Sequence, residues 1–178
     1  MTETQKTKQI SKKELLKIAA KIILGVVLVA SLLLNLFTHV MPVVKYYGTG
    51  MSPTLKDGQI LIVSKLSDIK PCDVIAFYYN NSVLVRRVVA KEDDQVTIDI
   101  FGTVSVNGDE LSEDYVEHKT LGQCNISFPF EVPTDSYFVL GDNRDVSMDS
   151  RLEQIGCVAE DRVIGKLIFS VKPFGMTK

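Results

Sequence analysis

Histidine and cysteine are too scarce in this chain to build a metal site, with two His and three Cys in 178 residues. Cys72, Cys124 and Cys157 follow no zinc-knuckle spacing, and His39 falls in an apolar run, which leaves only His118 as an imidazole ligand. No metal and no cofactor are expected. So few cysteines also exclude a disulfide-dense scaffold. An odd number leaves at least one without an intrachain partner, and pairing of Cys124 with Cys157 stays open. There is no internal repeat, no low-complexity tract and, past the N-terminal region, no sustained helical periodicity. The length suits one well-buried domain.

Positive charge is short beyond Val44. Six of the 20 basic residues and two of the 22 acidic ones lie before it, so the remainder carries 14 against 20, a net of six negative charges. That balance argues against nucleic acid or anionic lipid headgroups as partners of the domain.

What the chain does have is one long apolar run. Ile22 to Phe37 is interrupted only by Ser31 and Asn35, and the run extends through Thr38, His39 and Met41 to Val44. This gives about twenty residues, enough to cross a bilayer. Lys6, Lys8, Lys12, Lys13, Lys17 and Lys21 precede it against Glu3 and Glu14, a basic flank that stays cytoplasmic, with Lys21 reaching back to the headgroups. A cleavable signal peptide shares this polarity, but the run is longer than its apolar core, and His39-Val40-Met41-Pro42 lacks a small-x-small cleavage site. The expected organisation is therefore a basic cytoplasmic tail at 1–21, a transmembrane anchor at 22–44 and an extracytoplasmic domain at 45–178, in a single-pass cell-membrane protein.

The exported part reads as mainly β. Short β-branched or aromatic runs at 59–63, 73–78, 83–85, 87–89, 95–98, 137–140 and 163–169 are separated by Asp57-Gly58, Asn80-Asn81, Asp93-Asp94, Asn107-Gly108 and similar punctuation. Residues 38–47 are expected to tie the domain closely to the anchor.

Three segments carry a resemblance. Gly48-Thr49-Gly50-Met51-Ser52-Pro53-Thr54-Leu55 resembles the nucleophile segment of type I signal peptidases, Leu84-Val85-Arg86-Arg87-Val88-Val89 their lysine-bearing strand, and Gly141-Asp142-Asn143-Arg144-Asp145-Val146-Ser147-Met148-Asp149-Ser150-Arg151 their third segment. Weaker matches are 106–108 with Glu113 and Tyr115, then Gly156 and 164–166. Departures are Cys72, where the family has glycine, and Lys91-Glu92-Asp93. By itself the third segment reads as a polar turn and not an EF-hand loop, because Arg144, Val146 and Ser147 stand where calcium ligands or glycine are needed. The resemblance implies an all-β signal-peptidase-like fold behind one helix, in the Gram-positive form. It further implies that Ser147 and Asp149 support the lysine base, that Asp145 and Arg151 form a structural ion pair, that Asp142 belongs to the same support, and that Gly48 and Gly50 contribute oxyanion-hole amides. Met51 and its apolar neighbours resemble the surface that meets lipid and the signal-peptide end; ordinary core packing is the alternative for Met51. Pro53 completes the binding segment.

The chemistry implied by that family needs a serine hydroxyl and a neutral lysine amine in contact. This chain has Gly50 at the first position and Arg86 at the second, and a guanidinium stays protonated at physiological pH. Ser52 is a weak substitute nucleophile: on a strand it would share a face with position 50, but roughly 6–7 Å away, and Lys65 and Lys91 lie outside the matched segments. Two readings follow. The first is a non-proteolytic homologue that binds exported precursors. The resemblance is to the inactive signal-peptidase-like proteins of sortase-built pili, which implies pilin subunits and that machinery as partners. The second is an active signal peptidase using Ser52. A plain membrane-tethered adhesion module gives no reason to keep 141–151.

Overall fold

Lys12–Val40 forms one helix, α1, of 29 residues, about 43 Å long at 1.5 Å per residue. The computed structural model describes residues 12–171, so Lys6, Lys8 and the rest of 1–11 lie outside the described residues. The helix starts well before the apolar run because Lys12 to Ala20 consists mostly of strong helix formers. Glu14 in its first turn and His39 in its last complement the helix dipole. Thr38 folds its hydroxyl back onto the Asn35 carbonyl at 2.9 Å, which removes a polar group from the apolar surface. No side chain of α1 is buried by protein, the condition of a helix whose apolar surface faces lipid.

The expected anchor ran to Val44, but α1 stops at Val40. Pro42 supplies no N–H and disfavours helical geometry at Met41. Val43–Lys45 instead forms strand β1, pairing with β2 (Ile60–Ser64) in the register Val43 to Ile62 and Lys45 to Ile60. Two further bonds continue that ladder, Val63 N–H to the Pro42 carbonyl and Lys65 N–H to the Val40 carbonyl, each 3.1 Å. The chain divides between His39 and Val40 into a helical unit and a β unit.

The β unit holds nine further strands: β3 (Val74–Tyr79), β4 (Ser82–Lys91), β5 (Gln95–Ile98), β6 (Val104–Val106), β7 (Asp109–Glu110), β8 (Phe130–Glu131), β9 (Ser136–Leu140), β10 (Val158–Ala159) and β11 (Val163–Val171). They form a seven-stranded sheet in the order β1-β2-β11-β3-β4-β9-β10 and a four-stranded sheet in the order β7-β6-β5-β8. Every neighbouring pair among these strands is antiparallel. The runs at 83–85 and 87–89 are one strand, continuous through Arg86, with a register shift between Val88 and Ala90 against β9. Asn107 and Gly108, both at positive φ, close the tight β6–β7 hairpin.

One core joins the two sheets. Val89, Ala90, Phe138 and Leu140 of the large sheet pack against Val96, Ile98 and Val104 of the small one, and the Phe138 ring lies 5.7 Å from that of Phe130. A second cluster, with Tyr46, Met51, Leu55, Leu61, Val63 and Val85, sits beneath the segment that follows β1. Cys72, Cys124 and Cys157 are all free thiols.

Replacing Phe138 by Ala is expected to lower unfolding stability by about 3–5 kcal/mol, measured by urea denaturation of the detergent-solubilised chain. In the native protein at pH 8, iodoacetamide is expected to label exposed Cys72 much faster than Cys157, whose thiol is pushed up to about 12 by burial against the opposing pull of Arg162. Mass spectrometry of tryptic peptides over time reads the order directly.

Candidate functional site

The segment after β1 is a tight turn and not a strand. Ser52 N–H reaches the Thr49 carbonyl at 3.0 Å, and Leu55 N–H reaches the Met51 carbonyl at 2.8 Å. Ser52 therefore sits in a turn, and the shared strand face with position 50 does not exist. Met51 is 0% exposed and belongs to the core, so it presents nothing to lipid; its long flexible side chain fills the cavity under the turn. Pro53 and Gly48 are exposed. Two amides are already engaged: Gly48 N–H bonds the Asp57 carboxylate at 2.7 Å, and Met51 N–H bonds the Tyr46 hydroxyl at 2.9 Å. Gly48 is thus not a free oxyanion donor.

Gly50 is buried, and the three atoms nearest to where its side chain would begin all belong to the Arg86 guanidinium, at 3.3–3.4 Å. The Arg86 guanidinium thus stands directly against the backbone of Gly50. Arg86 is only 6% exposed. Its Nε donates to the Met148 carbonyl at 2.8 Å and its Nη1 to the Val85 carbonyl at 2.6 Å. Among the described residues it forms no ion pair. Burial pulls its pKa below the usual arginine value, against the opposing fields of Asp149 and Tyr46; the group nevertheless stays a cation.

The third segment surrounds this pair with buried charge. Arg87 binds Asp142 in fork geometry, Nε to Oδ1 at 2.8 Å and Nη2 to Oδ2 at 2.6 Å, while the Thr54 hydroxyl donates to the same carboxylate and the Tyr115 ring lies 3.9 Å from the guanidinium carbon. Arg151 binds Asp149 in the same manner, at 2.8 and 2.9 Å, and also donates to the Leu121 and Arg144 carbonyls. Arg144 pairs with Glu113. The expected Asp145–Arg151 pair is absent: Asp145 is exposed on the loop and makes no ion pair among the described residues, because Asp149 lies two residues from Arg151 on the buried side.

Gly141 closes the arrangement. A side chain there would begin 2.0 Å from the Ser147 hydroxyl and 2.5 Å from the Gly50 carbonyl. The Gly50 carbonyl accepts from Asn143 N–H at 3.0 Å, which fastens the turn to the third segment. Asp149, assigned by resemblance to support a lysine, is engaged with Arg151 and the Gly141 amide. The Ser147 hydroxyl is enclosed with no hydrogen-bond partner among the described residues. Tyr46, Arg87, Glu113 and Arg144 shape the site although sequence reasoning gave them no role; the fork between Arg87 and Asp142 spans 55 residues of chain, and no local pattern reveals it.

A groove of about 690 Å³ precedes this place along both segments, with 42–45 and Tyr47 on one wall and 82–84 of β4 on the other; Gly50 and Arg86 do not line it, Arg86 following Leu84 by two residues on β4. Both walls are open strand edges. β1 ends the large sheet, and residues 82–86 of β4 pair only with β3, since β9 pairs with 87–91. Four antiparallel steps separate β1 from β4, so the walls run in the same direction, one leading to Gly50 and the other to Arg86.

Comparison with known proteins gives one consistent answer. The family described as signal peptidase, peptidase S26, matches residues 16–172. Signal peptidase I T of Bacillus subtilis is 32% identical over 97% of this chain and 93% of that protein. Signal peptidase IB of Staphylococcus aureus is 33% identical over 74% of this chain and 78% of its own length. A crystal structure of a signal peptidase I from Enterococcus faecalis superposes with a TM-score of 0.50 at 29% identity, covering 58% of this chain and all of that one.

The contact between Gly50 and Arg86 predicts energetic coupling. Gly50→Ser is expected to destabilise the native chain by about 1 kcal/mol or more beyond its effect in an Arg86→Lys background. A double-mutant cycle on urea midpoints measures it, and additivity would show that the guanidinium does not resist a side chain there.

Proposed function

The chain belongs to the signal peptidase family, peptidase S26, and from that premise we propose that it binds exported precursor polypeptides at the membrane without cleaving them. The observation that carries this reading is the Arg86 guanidinium lying over Gly50. An acyl-enzyme needs a hydroxyl where Gly50 has no side chain, and proton removal needs a free amine where Arg86 holds a permanent cation. The fold around the two positions is nevertheless complete, down to the ion pairs of the third segment and the groove. An extended peptide can fill the gap between the two open edges through backbone hydrogen bonds, with the apolar lining selecting side chains.

One apolar N-terminal helix and the full-length likeness to signal peptidase I proteins are consistent with a single-pass membrane protein. The basic flank supports a cytoplasmic N-terminus and an external β unit, with the domain divisions near those expected from sequence but the helix ending at Val40. Lipid contact by the β unit is supported by an exposed sheet face on which Val43, Ile62 and Phe169 form one row and Ile60 with Val171 the next. Pilin subunits and sortase-dependent assembly are the clients that the likeness to inactive homologues suggests. Met51, being buried, has no part in the binding surface proposed here; Pro53, at the rim of the turn, keeps one, with Gly48 and Gly50 forming its backbone.

The second reading, proteolysis through Ser52, has in its favour only that Ser52 is partly exposed beside the site. The deciding experiment incubates a secretory precursor with the purified full-length chain in detergent. No processing is expected from the native chain, while Gly50→Ser with Arg86→Lys, which supplies an amine for Ser147 and a hydroxyl at position 50, is expected to produce detectable mature product. Native cleavage that disappears in Ser52→Ala would sink the proposal.

A further inference from the structure

Arg86 is a buried cation with no ion-pair partner among the described residues. A buried charge without a partner is costly, and Arg87, Arg144 and Arg151, its neighbours in this site, each hold a carboxylate. Arg86 holds two backbone carbonyls through Nε and Nη1. Its Nη2 has no partner among the described residues, is not among the enclosed unpartnered atoms, and is the atom nearest the empty side-chain position of Gly50. A donor with solvent access thus remains two residues beyond Leu84, the last residue of β4 to line the groove.

The groove is suited in charge to a negative occupant. Of the residues that line it, Lys45 is the only charged one, and no acid faces it, although the chain beyond Val44 carries six excess negative charges. The two walls run in the same direction toward Gly50 and Arg86. A peptide lying between them and parallel to both presents its C-terminal end there.

We infer that Arg86 is the receptor for the free C-terminal carboxylate of an extended peptide held in the groove. The inference rests on the peptide-binding reading above and narrows it: the preferred ligand is a chain that already ends at this point, the product of a prior hydrolysis, and not an uninterrupted precursor. Glycine at position 50 gives a carboxylate room to approach Nη2, where any side chain would stand in its way. A charge-assisted pair of this kind, shielded from water, is stronger than a neutral hydrogen bond and is lost when the carboxylate is amidated.

Three fluorescein-labelled octapeptides rich in alanine and valine test this by fluorescence anisotropy against the full-length chain in detergent micelles. One ends in a free carboxylate, one in an amide, and one in an amidated aspartate that offers a side-chain carboxylate instead. The free acid is expected to bind about tenfold or more tightly than the plain amide, with that preference abolished in Arg86→Gln and partly kept in Arg86→Lys. Equal affinity of acid and amide for the native chain overturns the carboxylate receptor while leaving peptide binding intact. Tightest binding of the amidated aspartate overturns it in favour of an acidic side chain. Failure of all three peptides to bind overturns the groove itself and this inference with it.

Discussion

The fork between Arg151 and Asp149 fixes everything around it. Both side chains are fully buried, and two opposite charges removed from water persist only where geometry and further hydrogen bonds compensate them. That compensation reaches outward: Arg151 holds the Leu121 and Arg144 carbonyls, and Asp149 holds the Gly141 amide. Gly141, so placed, lies against Ser147 and the Gly50 carbonyl. The loop is therefore rigid for electrostatic reasons, and the position of Gly50 follows from it. The third segment, which reads in sequence as a polar turn, is one whose carboxylates other than Asp145, and whose arginines, are buried together.

The ion pairs of the third segment involve no side chain at positions 50 or 86. Its ion pairs are mutually dependent, so loss of one member leaves a buried charge with no partner. Positions 50 and 86 stand at the edge of that network. Gly50 contributes backbone only, and Arg86 meets the segment through the Met148 carbonyl and not through an ion pair.

Much of the fold was readable because it is written in local composition. The apolar run, the β-branched or aromatic runs of β2, β3, β5, β9 and β11 and the Asn107-Gly108 turn all carry their signals within a few residues. The ends of elements were less readable: Val43 and Val44 are as apolar as the helix before them, and only Pro42 and the pairing with Ile62 and Leu61 assign them to the sheet. The very short strands β7, β8 and β10 carry no pattern at all, being defined by their partners. At the site, the identities of Gly50 and Arg86 were legible and their contact was not, because 36 residues separate them in the chain. The resemblance gave Arg151 the partner Asp145, where the structure has Asp149, because a motif match does not say which carboxylate turns inward.

The open edges of β1 and of 82–86 have a consequence for the protein between engagements. An unpaired strand edge is a template for any extended chain, including the same edge of a second copy. Lys45, its ammonium 5.1 Å from the Tyr47 ring, places a charge on β1 that discourages such self-pairing, while 82–84 of β4 carry none. A peptide bound between these edges would cap both, leaving the unoccupied protein as the form exposed to self-association.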